Sequence, residues 1–266
     1  MNFCGIFKII ARDFQHCPPW LRELRRKKLR FASAIGYWLF VICLPLLFLS
    51  STVWLGVNST RLYEYGFDRY GVSEDTGIDR EQLGNVAKRL VDYFSSRVET
   101  PQMMVVIEGG EEIPLFQEGD QNRELTHLAD VRGLFQFARR VQLASLAYVV
   151  VYSLLFLLWR KGRWQDLAQA IRWGCALTLA LIAVLGVASV LIDFERLFFQ
   201  FHYLVFDNPW WMSSGYLPRL FPEQFWQDIA FLGGGVIAAE ALILGGVAWA
   251  VPVIHRRQRR LSQAGP

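Results

Sequence analysis

The chain has 266 residues, 53% of them hydrophobic and 15% aromatic, with a formal net charge of +4. Such a composition, with only 20% charged residues, argues against an ordinary soluble globular domain and for a membrane protein. No Gly-rich phosphate loop, zinc-finger spacing or nucleic-acid module is present, which leaves no basis for a nucleotide- or nucleic-acid-binding function.

In chain order, residues 1–31 form a basic tail carrying Arg22, Arg25, Arg26, Lys27, Lys28 and Arg30. An apolar stretch over 32–57 follows, long enough to cross about 30 Å of hydrocarbon as a helix. It is too long for the apolar region of a cleavable signal, so it reads as a retained signal-anchor span with Pro45 inside it. Residues 58–138 are polar, with 8 Lys and Arg against 15 Asp and Glu between 58 and 135. Within them, Asp79 and Gln82 suggest a capped helix start, and Leu83, Val86, Leu90 and Phe94 follow at helical spacing. Met103 to Ile107, the turn Glu108-Gly109-Gly110-Glu111, and Ile113 to Phe116 suggest a hairpin. From Asn122 the period becomes helical again, with Leu125, Leu128, Val131 and Phe135 on one face.

A second span is expected over 139–159, a basic loop over 160–170, a third span over 171–192 and a fourth over 229–254, before a basic tail at 255–266. Between the last two lies 193–228, an aromatic-rich run that should continue from the third span with little break and end at Asp207-Asn208-Pro209. Its rings read mostly as an interfacial belt that sets helix depth. The fold expected is therefore an α-helical polytopic membrane protein. It has four transmembrane helices, a small α+β extracytoplasmic cap and an interfacial aromatic helix and hairpin. The Lys and Arg clusters at 22–30, 160–172 and 256–260 put both termini in the cytoplasm and the cap outside. Arg139 and Arg140 run against this rule and are outnumbered.

His127 and His202 stand out, because both fall on the outer face and histidine exchanges protons near neutral pH. Glu124 and Asp130 lie one helical turn before and after His127, where a carboxylate can accept the imidazole N–H and set its tautomer. The plain alternative is a solvated histidine on a charged helix face. His202 is a polar ring in an apolar run and needs a partner. Glu240, near the middle of the fourth span, is costly there and reads either as a functional group or as a helix-assembly contact. His16 and His255, in the tails, read as solvated or lipid-contacting groups. Cys4, Cys17, Cys43 and Cys175 are far apart and read as inert thiols. No HxH or HExxH spacing supports a metal, and no cofactor is expected.

Glu124-Leu125-Thr126-His127-Leu128-Ala129-Asp130-Val131 resembles the E-x-x-H-x-x-D-V signature of the lipoprotein intramolecular transacylase (Lit) family of bacterial integral membrane proteins. Phe201-His202-Tyr203-Leu204-Val205-Phe206, followed by Asn208, Trp210 or Trp211, and Leu220-Phe221-Pro222-Glu223-Gln224-Phe225-Trp226 resemble its second block, the aromatic pair being altered to Val205-Phe206. The likeness covers roughly 32–254 and does not explain the basic tails. It implies an acyltransferase of the bacterial cytoplasmic membrane that moves an acyl chain from glycerol to the N-terminal cysteine amine of a diacylglyceryl lipoprotein. His127 and His202 would be its catalytic pair. The partners implied are that lipoprotein N-terminus and membrane lipid; the oligomeric state is left open. The competing expectation is a non-enzymatic membrane protein whose cap binds a lipid or protein partner. A transporter is disfavoured by four spans without a polar stripe.

Overall fold

The computed structural model describes residues 19–116, 123–159, 164–212 and 214–263. The tail before residue 19 (with Cys4, His16 and Cys17), Asn122, the bases at 160–163 and the side chain of His255 lie outside that description.

Helix α1 (Pro19–Val57) has 39 residues, about 58 Å of rise, and therefore exceeds the bilayer by its whole basic start. Among the described residues four helical stretches are long and apolar enough to cross a membrane, Arg30–Val57, Arg123–Leu158, Trp164–Leu191 and Glu223–Ile254. They belong to α1, α5 (Arg123–Trp159), α6 (Trp164–Leu191) and α9 (Glu223–Gln263). Leu158, Val184, Leu185, Val190, Leu191 and Ile243 are all exposed, as expected of faces solvated by lipid rather than water.

Lipid removes the hydrophobic drive between spans, so small residues and polar contacts hold them together. Phe40, Val41 and Leu44 of α1 are buried against Leu167 and Ala170 of α6. A Cβ at Gly174 would overlap the Leu44 side chain, so that crossing needs glycine. Between α1 and α5, Tyr148 donates to the Gly36 carbonyl at 2.9 Å and Gln142 to the Ser51 hydroxyl at 3.0 Å.

The cap packs α2 (Thr60–Arg69), α3 (Val72–Thr76), α4 (Arg80–Phe94) and strands β1 (Met104–Val106) and β2 (Glu112–Pro114) on the start of α5. The strands pair antiparallel with Val105 opposite Ile113, and Gly109 and Gly110 take the positive φ values of the turn, 103° and 85°. Asp79 caps α4 by accepting from the Glu81 amide. Gln82 does not complete a capping box. Its amide instead brackets β1, donating to the Val106 carbonyl and accepting from the Val106 amide.

After α6 the chain does not run on smoothly. The helix stops at Leu191, and Asp193 adopts φ 79° before α7 (Phe194–Val205) begins. With ψ at 140° this is a conformation that residues other than glycine rarely adopt, and it breaks the line between α6 and α7. Helix α8 (Leu217–Leu220) then delivers Leu220, Phe221 and, past the turn into α9, Phe225 into the cap core.

Candidate active site

The apolar run of α5 starts at Val141, so His127 stands about 20 Å further along the helix, beyond the membrane-crossing part. Leu125, Leu128, Val131 and Phe135 pack on the cap core, and Glu124 and His127 are drawn in with them, 5% and 7% exposed. His202 is the only buried residue of α7; Phe194, Leu197 and Phe198 are half-buried, and Phe199, Phe201, Tyr203, Leu204 and Val205 are exposed. The two imidazoles meet, with ring centroids 5.9 Å apart and planes at 37°.

Aromatic rings enclose them. Phe206 lies edge-on to His127 at 4.9 Å and tilted on His202 at 5.4 Å. Phe198 and Trp211 flank His202 at 4.2 and 4.8 Å. These rings were expected to form a depth-setting belt; three of them instead wall the histidine pair. Phe206 and Trp211 fall in the second block of the family resemblance, but that they wall the histidines shows only when α7 folds back on α5.

His202 Nδ1 lies 2.8 Å from the Phe198 carbonyl oxygen. A carbonyl only accepts, so Nδ1 carries the hydrogen and the neutral ring keeps its lone pair on Nε2. His127 Nδ1 is buried and has no hydrogen-bond partner among the described residues. Burial lowers the pKa of both histidines below the ordinary value; for His127 the neighbouring His202 lowers it further and the Asp130 charge opposes the shift. Both rings are therefore neutral at pH 7, with lone pairs available.

Neither flanking carboxylate makes the expected bond to the His127 ring. Asp130 Oδ2 accepts from Asn208 Nδ2 at 2.9 Å, and Asn208 Oδ1 accepts the Trp210 amide at 3.1 Å. Glu124 Oε1 accepts the Leu217 amide at 2.7 Å. The competition is physical: unpaired backbone and amide donors from a distant loop claim the oxygens that helix geometry offers to His127. In the sequence Asn208 stands out as a helix-ending residue and as part of the second block of the family resemblance, not as a partner of Asp130.

Glu240 lies apart from this cluster. On α9 it borders a groove of about 510 Å³ with Leu47, Phe48, Ser51 and Gln142, and its Oε2 is buried without a partner among the described residues. Cys43 and Cys175 are buried free thiols. Among the described residues no three His, Cys, Asp or Glu side chains are disposed to hold a metal ion.

The fold is similar to the in meso structure of the membrane integral lipoprotein intramolecular transacylase Lit from Bacillus cereus, with TM-score 0.65 at 16% identity over 87% of this chain and 99% of that one. Structures of that protein with a histidine replaced by arginine or by alanine align alike, each with TM-score 0.66 at 16% identity; the arginine form covers 88% of this chain and the alanine form 86%, and 99% of each relative is matched. No curated protein sequence matches the chain. The model of the lipoprotein intramolecular transacylase Lit matches residues 38–226, a stretch holding both histidines and every residue that walls them, and the chain belongs to that family.

Proposed function

We propose that this membrane acyltransferase moves an acyl chain within one molecule, from the glyceryl ester of a diacylglyceryl lipoprotein to the α-amine of its N-terminal cysteine. The product is a lyso-form lipoprotein. The observation that carries the mechanism is the buried approach of His127 and His202 at 5.9 Å inside an aromatic wall. Ester and amine belong to the same substrate, so the enzyme has only to hold them together and manage one proton.

The amine nitrogen attacks the ester carbonyl carbon, forming the C–N bond and a tetrahedral oxyanion. Nε2 of His202, left with its lone pair by the Phe198 bond, takes the proton from that nitrogen. Neutral His127 donates its N–H to the oxyanion, which is worth more in a site closed to water. When the intermediate collapses, the C–O bond breaks and His202 returns the proton to the departing glyceryl oxygen. One proton moves from nitrogen to oxygen and the enzyme ends as it began. This route needs no serine or cysteine nucleophile.

The same reading puts the cap and both histidines outside the cytoplasmic membrane and both termini inside, supported by the basic residues at 22–30 and 256–260. The test is mass spectrometry of a reporter lipoprotein's N-terminal peptide, in a host whose lipoproteins otherwise stop at the diacylglyceryl, free-amine form. The expected product is an N-acylated lyso peptide that disappears with His127→Ala or His202→Ala. An unchanged diacyl peptide beside well-expressed protein would overturn the proposal.

A further inference from the structure

Four contacts tie the segment after α7 to the first two turns of α5, and they bracket His127. Ahead of it, the Arg123 guanidinium lies 5.4 Å from the Trp210 ring centroid and Glu124 takes the Leu217 amide at 2.7 Å. Behind it, Asp130 takes the Asn208 amide at 2.9 Å. Phe206 closes on His127 itself at 4.9 Å. The segment so fastened carries Trp211, which lies against His202. The position of one catalytic ring is thus set by contacts made around the other.

Glu124 is the innermost of these fasteners, 5% exposed and one turn from His127. Opposite it stands Gly215. A Cβ there would lie 2.5 Å from Glu124 Oε1, so a side chain at 215 fits only if the carboxylate moves from its place, and Gly215 carries no positive φ that would call for glycine on backbone grounds. Glycine at 215 thus leaves room for the carboxylate where it accepts the Leu217 amide. The half-buried Leu217 amide, at the start of a four-residue helix, has no intrahelical acceptor, so a charged acceptor for it is worth more than a neutral one.

We propose that Glu124 is a positioning residue that docks the Gly215–Leu217 turn and thereby holds Trp211 against His202 and Asn208 on Asp130, and that it is not the proton partner of His127. The consequence for turnover rests on the acyl-transfer reading; the docking itself does not.

Amide hydrogen exchange on the full chain in detergent micelles tests it. Glu124→Gln keeps an oxygen that accepts from Leu217 but removes the charge; Glu124→Ala removes both. The expected result is that exchange at Leu217 speeds up about tenfold or more in Glu124→Ala and several-fold less in Glu124→Gln. Gly215→Ala, which pushes the carboxylate off the amide, should behave like Glu124→Ala and reports the same contact should Glu124→Ala not fold. The His127 titration, followed by NMR, should stay in place in Glu124→Gln, and acyl transfer should fall in the order of exchange. Equal acceleration in the Gln and Ala variants would overturn the proposal. So would protection that survives both Glu124→Ala and Gly215→Ala, or a His127 titration that moves down in Glu124→Gln with Leu217 still protected. A wild-type protein that acylates nothing would sink the acyl-transfer reading alone, since the exchange pattern would still decide the docking role.

Discussion

Phe206 touches both catalytic candidates, standing edge-on to His127 at 4.9 Å and tilted on His202 at 5.4 Å. The ring keeps water from the space between them and leaves each imidazole in a weakly polar setting. That setting, more than any single charge, depresses both histidines.

The first prediction is a titration. With both folded pKa values below the ordinary 6.5, the folded protein binds fewer protons than the unfolded chain as pH falls through that value. Stability should therefore be full above about pH 6.5 and decline below it, down to the depressed folded values. NMR of labelled imidazoles should show His127 still neutral at pH 6 and His202 titrating below the ordinary value, their signals lost in His127→Gln and His202→Gln. Asp130→Asn should push the His127 titration lower still, because the Asp130 charge opposes its shift. An upward move would contradict the arrangement.

The second concerns catalysis. His202→Ala removes the only proton carrier assigned and should lower turnover about 10²–10⁴-fold. His127→Ala removes an oxyanion donor and should cost about 10²–10³-fold in kcat. Neither should weaken substrate binding much, so KM for the reporter lipoprotein should hold within a few-fold. A loss confined to KM would mean that the histidines bind and do not react.

Much of this was legible in the chain. Hydropathy exposes the four spans, Asp79 the start of α4, and Gly109-Gly110 the hairpin turn, since each signal is local. The helices over 60–76 were not foreseen. Tyr63 and Phe67 are the buried aromatics of α2, and the glycines at 66 and 71 break the pattern around them. At the site, both histidines could be picked out but their partners could not. The i±3 arithmetic that paired Glu124 and Asp130 with His127 cannot see Leu217 and Asn208 arriving from far along the chain to claim the same oxygens.

The third prediction follows from that rivalry. Asn208→Ala leaves Asp130 without its donor and should destabilise the protein by about 1–3 kcal/mol. Asn208→Asp should be worse than Asn208→Ala, because it sets a second carboxylate against the first where an amide stood at 2.9 Å. Thermal unfolding in detergent orders the two variants. The reverse order would mean that Asp130 does not depend on this contact.

The fourth tests the bundle. Gly174→Ala places a methyl group inside the space held by Leu44, with Leu44 Cβ at 3.0 Å, and should cost about 1–3 kcal/mol by overpacking α1 against α6. Gly133→Ala, in α5 with open space where its Cβ would go, should be neutral or mildly stabilising through helix propensity. Equal melting temperatures for the two variants would show that the α1–α6 crossing is looser than its geometry.

The last prediction settles which side of the membrane the histidines face. Glu111 is exposed at the tip of the cap hairpin and Lys28 is exposed at the basic end of α1, so a single cysteine at either place is open to a water-soluble reagent. Cys43 and Cys175 are buried and can remain as they are, whereas Cys4 and Cys17 should be changed to serine. In intact cells an impermeant maleimide should label Glu111→Cys, and Lys28→Cys only after the membrane is opened. The argument depends on charge: six basic residues between 22 and 30 would have to cross the bilayer in the opposite orientation, each at a cost of about 2.5–3.5 kcal/mol at mid-membrane. The inverted labelling pattern would place the cap in the cytoplasm, away from a lipoprotein N-terminus displayed outside, and would remove the substrate proposed for it.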